Sequence, residues 1–355
     1  MGEIRLMKGN EALAEAAIRA GCDAYFGYPI TPQSEVLEYL ASQTPEKLNG
    51  MVILQSESEP AAINMVYGAA GCGKKVMISS SSPGISLMQE GISYLAGAEL
   101  PCLIVNVMRG GPGLGTIQPS QADYFQAVKG GGHGDYKLIV LAPDSVQEMC
   151  DFVPLSFDLA FKYRNPVMIL SDGMIGQMME KVILFDPIPR SEKLAEWATT
   201  GKTKNRPKNV ITSIHLHPWE MEEFNIHLQK KYEKVKENEV RYEEIETQDA
   251  DYLLIAFGSA ARICHKVVKL GREKGIKIGL IRPITLFPFP EKVISEYSKS
   301  VKEFLVVELN AGQMVEDVKL SVEGRKPVHF YGRMGGMIPS PEEILKLIEE
   351  KLKWL

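Results

Sequence analysis

The sequence predicts an α/β protein with two parallel-sheet domains, the second smaller than the first. Short apolar runs alternate with amphipathic stretches from Leu6 to about Leu184, and the alternation resumes at Asp251 after a polar segment. Glycine, proline and serine follow the apolar runs, as is typical of strand ends. With 355 residues, 45% of them hydrophobic, the chain is long enough to bury two cores.

The first domain is predicted to span residues 1–190 and to contain six strands. They are Ala24–Tyr28, Gly50–Gln55, Lys75–Ser80, Leu103–Met108, Lys137–Leu141 and Pro166–Ser171. Turn residues and then a helix-like stretch follow each of them, so the polar turns gather where the strands end. Open α/β sheets bind their ligands at this carboxyl edge.

Residues 191–248 are predicted to connect the domains, because Pro187 and Pro189, a polar run and a Lys/Glu-rich segment interrupt the alternation. The charged segment, Glu220–Glu246, has weak helical periodicity and is interpreted as a solvated helix face. Residues 249–355 form the second domain, with strands in DYLLIAFGS, IKIGLIRP, EFLVVELN and VHFYGR. Ser340 as a cap and Pro341 in the first turn predict a final helix.

Composition argues against several classes of protein. A net charge of -5 offers no basic field for nucleic acid. No apolar run approaches the roughly 20 residues of a membrane span, and the start lacks the apolar core of a signal peptide, so the cytoplasm is the expected compartment. The five cysteines contain no C-x-x-C pair and are expected to be reduced core thiols, so no iron–sulfur cluster can be built from them alone.

The glycine-rich segment GGPGLG, Gly110–Gly115, follows an apparent strand and so raises the question of dinucleotide binding. Thr116 occupies the place of the third glycine of that fingerprint, and IQPSQ delays the next helix. The segment is therefore interpreted as a loop. The chain also has no P-loop motif.

Two glutamates lie where a strand passes into a helix, in QSESEP. Glu59 precedes Pro60 and small apolar residues, so it is either a helix cap or a carboxylate in a dry crevice that can hydrogen-bond a ring nitrogen. Glu57 competes for the second role, and spacing alone does not separate the two.

Other residues at the same edge have both structural and functional interpretations. Thr31 in YPITP and Arg109 after LIVNVM can be structural, although an arginine followed by glycines also suits capture of a carboxylate. The run SSSSPG, Ser79–Gly84, is a tight turn or a place where a flat ligand approaches the backbone. His133, alone among glycines, is expected to be an exposed loop residue.

Several motifs in the same order carry a family resemblance: YPITPQSE, QSESEPAAINMVYGAA, SSSSPGISLMQEG, VMRGGPGLG, PSQADYFQAVKGGGHGDY and LSDGMIGQMME. Together they resemble the α-type subunit of 2-oxoacid:ferredoxin oxidoreductases over nearly the whole first domain. The second domain, with IRPITLFPFP, resembles the transketolase carboxyl-terminal domain. The resemblance implies that the first domain binds the pyrimidine half of thiamine diphosphate.

The resemblance also assigns roles. When the helix is aligned so that Gly68 matches the family's glycine, Glu59, and not Glu57, matches the family's cofactor glutamate. The resemblance therefore implies that Glu59 holds the aminopyrimidine nitrogen and activates the cofactor. Thr31 and Arg109 are implied to bind the substrate's carboxylate and oxo end. The residues implied to border the cofactor are Tyr28, Pro29, Ile30, Glu59, Ser82 and Pro83.

The partners are also implied by the family. Thiamine diphosphate is held through Mg2+ by a G-D-G motif, which this sequence lacks; Ser171-Asp172-Gly173 is interpreted as a strand-end turn. The diphosphate and Mg2+ are therefore expected on a β-type subunit and the [4Fe-4S] clusters on a ferredoxin-like subunit, with a γ-type subunit completing the complex.

The implied reaction is the oxidative decarboxylation of a 2-oxoacid, with coenzyme A accepting the acyl group and ferredoxin the electrons. The glycine-rich motifs look most like the branch that uses 2-oxoisovalerate. A 2-oxoglutarate enzyme needs a second cation, for which Lys129 or His133 are candidates, and pyruvate is a third option. A non-catalytic assembly subunit is the alternative from another class.

Overall fold

The computed structural model describes residues 2–191, 193–202 and 204–352. The strands are β1 (Glu3–Lys8), β2 (Ala24–Gly27), β3 (Val52–Gln55), β4 (Val76–Ser80), β5 (Cys102–Met108), β6 (Ile139–Leu141), β7 (Pro166–Asp172), β8 (Met179–Leu184), β9 (Tyr242–Ile245), β10 (Tyr252–Ile255), β11 (Ile278–Pro283), β12 (Thr285–Phe287), β13 (Glu303–Glu308) and β14 (Val328–Gly332).

The helices are α1 (Gly9–Arg19), α2 (Ser34–Gln43), α3 (Pro45–Leu48), α4 (Glu59–Gly71), α5 (Ser82–Leu87), α6 (Gln89–Gly97), α7 (Tyr124–Val128), α8 (Val146–Tyr163), α9 (Gly173–Gln177), α10 (Pro218–Asn238), α11 (Gly258–Glu273), α12 (Glu291–Tyr297), α13 (Met314–Val322) and α14 (Pro341–Leu352). None of these helices has the length and apolar character needed to span a membrane.

The first domain is built on a seven-stranded sheet in the order β12-β6-β7-β5-β4-β2-β3. Its six parallel strands, β2 to β7, are the six that the sequence predicts, with ends that differ by one or two residues. Every residue of β4, β5 and β7 is buried, because helices cover both faces of a parallel sheet. The predicted α/β class is confirmed.

The second domain has a five-stranded sheet in the order β14-β13-β10-β11-β9, in which only β9 is antiparallel. Its predicted strands and helices are present, and the Ser340 hydroxyl accepts from the Glu343 N–H, 3.1 Å away, at the start of α14. The charged segment forms α10, of which only four residues are buried, namely Leu228, Lys231, Tyr232 and Val235. The same charged segment also contains β9, which was not predicted because its sequence YEEI lacks an apolar run.

Two other pairings were not predicted. Strands β1 and β8 form a separate antiparallel sheet, and β12 from IRPITLFPFP crosses to pair with β6 at the edge of the first sheet. The cysteine prediction was wrong for Cys72, which is exposed, whereas the other four are buried. Asp172 does end a strand as a turn: its carboxylate accepts from the N–H of Met174 and from the Ser259 hydroxyl.

The two domains meet at the carboxyl edges of their sheets, and Gln121 is central to the contact. Its side chain donates to the Phe257 carbonyl at 2.7 Å and accepts from the Leu309 N–H at 3.0 Å. Its backbone carbonyl accepts from the Asn310 amide at 2.8 Å. Because all these groups are buried and paired, the segment after β13 is fixed against the segment before α7.

Candidate functional site

Glu59 is the first residue of α4, immediately after the Ser58 cap, whose hydroxyl accepts from the Ala61 N–H. Its side chain is buried, with 6% of the residue exposed. Glu57 is exposed and accepts a hydrogen bond of 2.8 Å from the Ser58 hydroxyl. The structure therefore separates two glutamates that spacing does not: only Glu59 faces the interior.

The Glu59 carboxylate lies against α5 at a glycine. A Cβ at Gly84 would collide with Ser80 Oγ and lie 2.5 Å from Glu59 Oε1. The hydroxyls of Ser80 and Ser81 are buried and have no hydrogen-bond partner within the described part of the chain. In the turn SSSSPG, Gly84 therefore permits the close approach of an acid, and the turn carries two buried hydroxyls without partners among the described residues.

The loop after β2 lies beside this turn and is held by Gln33. The Gln33 side chain, fully buried, donates to the Tyr28 carbonyl at 3.1 Å and accepts from the Ser79 hydroxyl at 2.6 Å. Tyr28 is 37% exposed, and Pro29 and Ile30 are half-buried. The loop therefore has a fixed backbone and side chains that remain accessible.

Arg109 follows β5 and is held by backbone groups. Its guanidinium donates to the Thr31 carbonyl at 2.9 Å and to the Leu114 carbonyl at 3.0 Å. Its own N–H donates to the Ser82 hydroxyl at 3.1 Å, and its buried Nε has no partner in the described residues. The contact brings Arg109 and Thr31 together, although through the threonine's carbonyl, and the Thr31 side chain is exposed.

A cavity of about 400 Å³ opens beside Arg109, between the two domains. It is lined by Ser82, Pro83, Ser86, Arg109, Gly110, Gly111, Pro112, Gly113, Ser120, Ala122, Asp123, Leu309, Asn310, Ala311, Gln313, Met334 and Gly335. Three of the predicted site residues, Ser82, Pro83 and Arg109, belong to this lining. Tyr28, Pro29, Ile30, Thr31 and Glu59 do not.

Asp123 was not predicted as a site residue, although it belongs to the quoted motif PSQADY. It lines the cavity, and its carboxylate accepts from the Asn106 amide at 2.9 Å. Burial raises the pKa of the Asp123 carboxyl, while hydrogen bonds from Ser82 and Asn106 act to lower it. Among the lining residues Arg109 is the one cation and Asp123 the one anion.

The second domain also supplies lining residues that sequence reasoning missed, notably Asn310, Gln313 and Met334. Asn310 and Gln313 could have been predicted, because NAGQM lies at the carboxyl end of the strand in EFLVVELN. Ligands bind at this end of the strands in α/β sheets, as was assumed for the first domain. Glu308 shapes this loop, because its buried carboxylate accepts from the N–H groups of Met314 and Val315.

The two cations considered for a second substrate carboxylate do not line the cavity. The Lys129 ammonium is paired with Asp317 of α13. His133 is exposed, and its carbonyl accepts from the Ser93 hydroxyl. Their positions give no support for a site that holds a dicarboxylate.

One group of potential metal ligands occurs in the described ranges, formed by Asp144, Glu243 and His265. The buried Arg282 guanidinium already lies 3.1 Å from Asp144 and 3.0 Å from Glu243. The carboxylates are thus neutralised by an arginine, and the group is best described as an ion-pair cluster that joins the domains.

Comparison with known proteins agrees with the two-domain description. A model of the thiamine-diphosphate-binding family of pyruvate flavodoxin/ferredoxin oxidoreductases matches residues 15–248. A model of the pyruvate:ferredoxin oxidoreductase core domain II matches residues 250–344. The chain is also similar in fold, at 14% identity and a TM-score of 0.59, to a split-gene transketolase, in agreement with the predicted transketolase-like second domain.

Two relatives and one solved structure cover nearly the whole chain. The ketoisovalerate oxidoreductase subunit VorB of Methanothermobacter marburgensis is 52% identical, over 98% of this chain and 97% of that protein. The 2-oxoglutarate synthase subunit KorA of Archaeoglobus fulgidus is 39% identical, over 99% and 100%. The 2-oxoglutarate:ferredoxin oxidoreductase of Magnetococcus marinus has a TM-score of 0.86 at 28% identity, over 98% of this chain and 65% of that one.

The predicted resemblance is confirmed by these matches, including its emphasis on the branched-chain branch, since identity is higher with the ketoisovalerate relative than with the 2-oxoglutarate one. The family models together match most of the chain. The chain therefore belongs to the 2-oxoacid:ferredoxin oxidoreductase family, in which it is an α-type subunit.

Proposed function

We propose that this chain is the pyrimidine-binding subunit of an oxidoreductase that decarboxylates 2-oxoisovalerate, transfers the acyl group to coenzyme A and passes electrons to ferredoxin. The observation that carries the proposal is the buried Glu59 carboxylate, which lies against Gly84 at the sheet edge where Arg109 lines a cavity. The similarity to ketoisovalerate oxidoreductase subunits supports the choice of substrate.

The residues around Glu59 fit the aminopyrimidine ring of thiamine diphosphate. Glu59 offers an acceptor, and Ser80 and Ser81 offer hydroxyls that have no partner among the described residues, at a turn where Gly84 adds no side chain. When bound, the cofactor supplies the nucleophilic carbon and the electron sink that decarboxylation requires. In this proposal Glu59 accepts a hydrogen bond from the ring nitrogen, while Tyr28, Pro29, Ile30, Ser82 and Pro83 border the cofactor.

The cavity suits a substrate with one carboxylate and a branched apolar chain. Arg109 provides a fixed cation, and Thr31 lies beside it. Apolar lining residues contact the remaining space; they are Pro83, Pro112, Leu309, Ala311 and Met334. A substrate with a second carboxylate would meet the anion Asp123, because the described lining residues include no cation besides Arg109.

The substrate is tested by assaying the assembled complex with 2-oxoisovalerate, 2-oxoglutarate and pyruvate side by side. We expect kcat/KM for 2-oxoisovalerate to exceed that for pyruvate by about tenfold or more, because two additional methyl groups are buried. We expect 2-oxoglutarate to react more slowly still. A higher kcat/KM for 2-oxoglutarate contradicts the assignment of substrate, though not the family.

The remaining parts of the active centre are proposed to lie on other subunits. The sequence has no G-D-G motif and no C-x-x-C pair. We therefore place the diphosphate and Mg2+ on a β-type subunit and the [4Fe-4S] clusters on a ferredoxin-like subunit, beside a γ-type subunit. The isolated chain is then expected to be inactive.

An exposed apolar patch beside the cavity is the proposed contact with the β-type subunit. It consists of Leu114, Ile117, Met334, Met337 and Ile338, between 39% and 85% exposed. The loops that carry them pack together, since a Cβ at Gly336 would collide with Gln118. The Leu114 carbonyl also accepts from Arg109, so a subunit that covers the patch lies next to the substrate arginine.

Replacing Leu114 by aspartate is expected to weaken assembly with the β-type subunit by tenfold or more, because a charge would be buried without a partner. Leu320→Asp is the matched control, since Leu320 is 70% exposed on α13 and outside the patch. Sedimentation of the mixed subunits measures the effect. Equal assembly of both variants contradicts the proposed contact.

A further inference from the structure

Three consecutive serines lie at the end of β4 and just before α5, and they differ in whether their hydroxyls are hydrogen-bonded. Ser79, Ser80 and Ser81 are all buried. The Ser79 hydroxyl contacts the Tyr25 hydroxyl at 2.8 Å and donates to Gln33 at 2.6 Å. The hydroxyls of Ser80 and Ser81 have no partner in the described residues. Since buried hydroxyls are nearly always hydrogen-bonded, an unpaired one beside a binding site requires an explanation.

Ser80 differs from Ser81 in what it faces. Its Oγ and the Glu59 Oε1 converge on the same side of Gly84, where they are the nearest polar atoms to a Cβ built on that glycine. None of the hydrogen bonds in the described part of the chain involves the Glu59 carboxylate. An unused donor and an unused acceptor therefore lie close together against Gly84, which has no side chain to separate them.

We propose that Ser80 is a positioning residue for Glu59: when the cofactor binds, the Ser80 hydroxyl donates to the inner carboxylate oxygen and turns the outer oxygen toward the aminopyrimidine nitrogen. This inference rests on the proposed thiamine diphosphate site. A hydroxyl donating to a carboxylate makes a charge-assisted bond with a defined direction, which suits it to orient an acid that has two equivalent oxygens. It also satisfies the Ser80 hydroxyl, which no other described group does.

The experiment uses the co-expressed complex with Ser80→Ala. Ser156→Ala is the matched control, because Ser156 is also fully buried with an unpaired hydroxyl but lies within α8. Calorimetric titration gives the affinity for thiamine diphosphate. Near-ultraviolet circular dichroism of the bound cofactor reports the balance of its amino and imino tautomers.

We expect Ser80→Ala to weaken cofactor affinity on the order of tenfold, the loss of one charge-assisted hydrogen bond, and to shift the dichroism toward the amino tautomer. The Ser156→Ala complex should match the wild type in both measurements. Without bound cofactor the melting temperatures should be equal, since in that state neither hydroxyl has a partner among the described residues.

Wild-type affinity and dichroism in the Ser80→Ala complex would overturn this role while leaving the proposed function intact, as would a lowered melting temperature alone. If the wild-type complex itself binds no thiamine diphosphate, the proposed function fails and this inference fails with it.

Discussion

Replacing Glu59 by alanine is expected to abolish 2-oxoacid-dependent reduction of ferredoxin by the assembled complex, with a loss of about a thousandfold or more. The buried carboxylate beside Gly84 is the acceptor that can hold the ring nitrogen, and proton-transfer groups contribute about 10²–10⁴ in rate. Initial rates of ferredoxin reduction at saturating 2-oxoisovalerate and coenzyme A measure the effect.

Glu57→Ala is the control for this experiment, because Glu57 lies two residues away but is exposed, and its carboxylate accepts a hydrogen bond from the neighbouring Ser58. It should retain nearly full activity. Full activity in the Glu59→Ala complex would refute the proposed mechanism, and loss of activity in Glu57→Ala alone would show that the resemblance selected the wrong glutamate.

Replacing Arg109 by alanine is expected to raise the KM for the 2-oxoacid about a hundredfold while the KM for coenzyme A changes little. The guanidinium supplies the charge that binds the substrate carboxylate, and charge-assisted hydrogen bonds contribute about 1.5–3 kcal/mol each. Arg109→Lys should recover only part of the loss, since lysine keeps the charge but cannot donate in a fork to the carbonyls of Thr31 and Leu114.

Arg325→Ala is the control, because Arg325 pairs with Glu323 at the surface of the second domain. Steady-state rates over a range of 2-oxoacid concentrations distinguish the variants. Undiminished turnover by Arg109→Ala at limiting substrate would favour a non-catalytic assembly role for this chain.

Much of the fold follows from local patterns. The six parallel strands of the first sheet are apolar runs bounded by glycine, proline and serine. In β4, β5 and β7 every residue is buried. The strands that were missed have weaker signals. Strand β9 is a polar edge strand, and β12 has three residues and is followed at once by Pro288.

The site was less predictable, because its geometry depends on contacts between distant segments. Glu57 and Glu59 have the same local context, and what separates them is the approach of Gly84 and Ser80. The lining by Asn310 and Met334 depends on how Gln121 fixes the second domain, about 190 residues further along the chain. Family resemblance supplied the role of Glu59, and spacing alone did not.

Strand β12 has a consequence for synthesis of the chain. It pairs with β6 although more than 140 residues separate them, so the first sheet cannot be completed until residues 285–287, within the second domain, have emerged from the ribosome. A fragment that ends at residue 248 would expose the unpaired edge of β6 and be prone to aggregation. The subunit should therefore be expressed whole, even for studies confined to its cofactor-binding half.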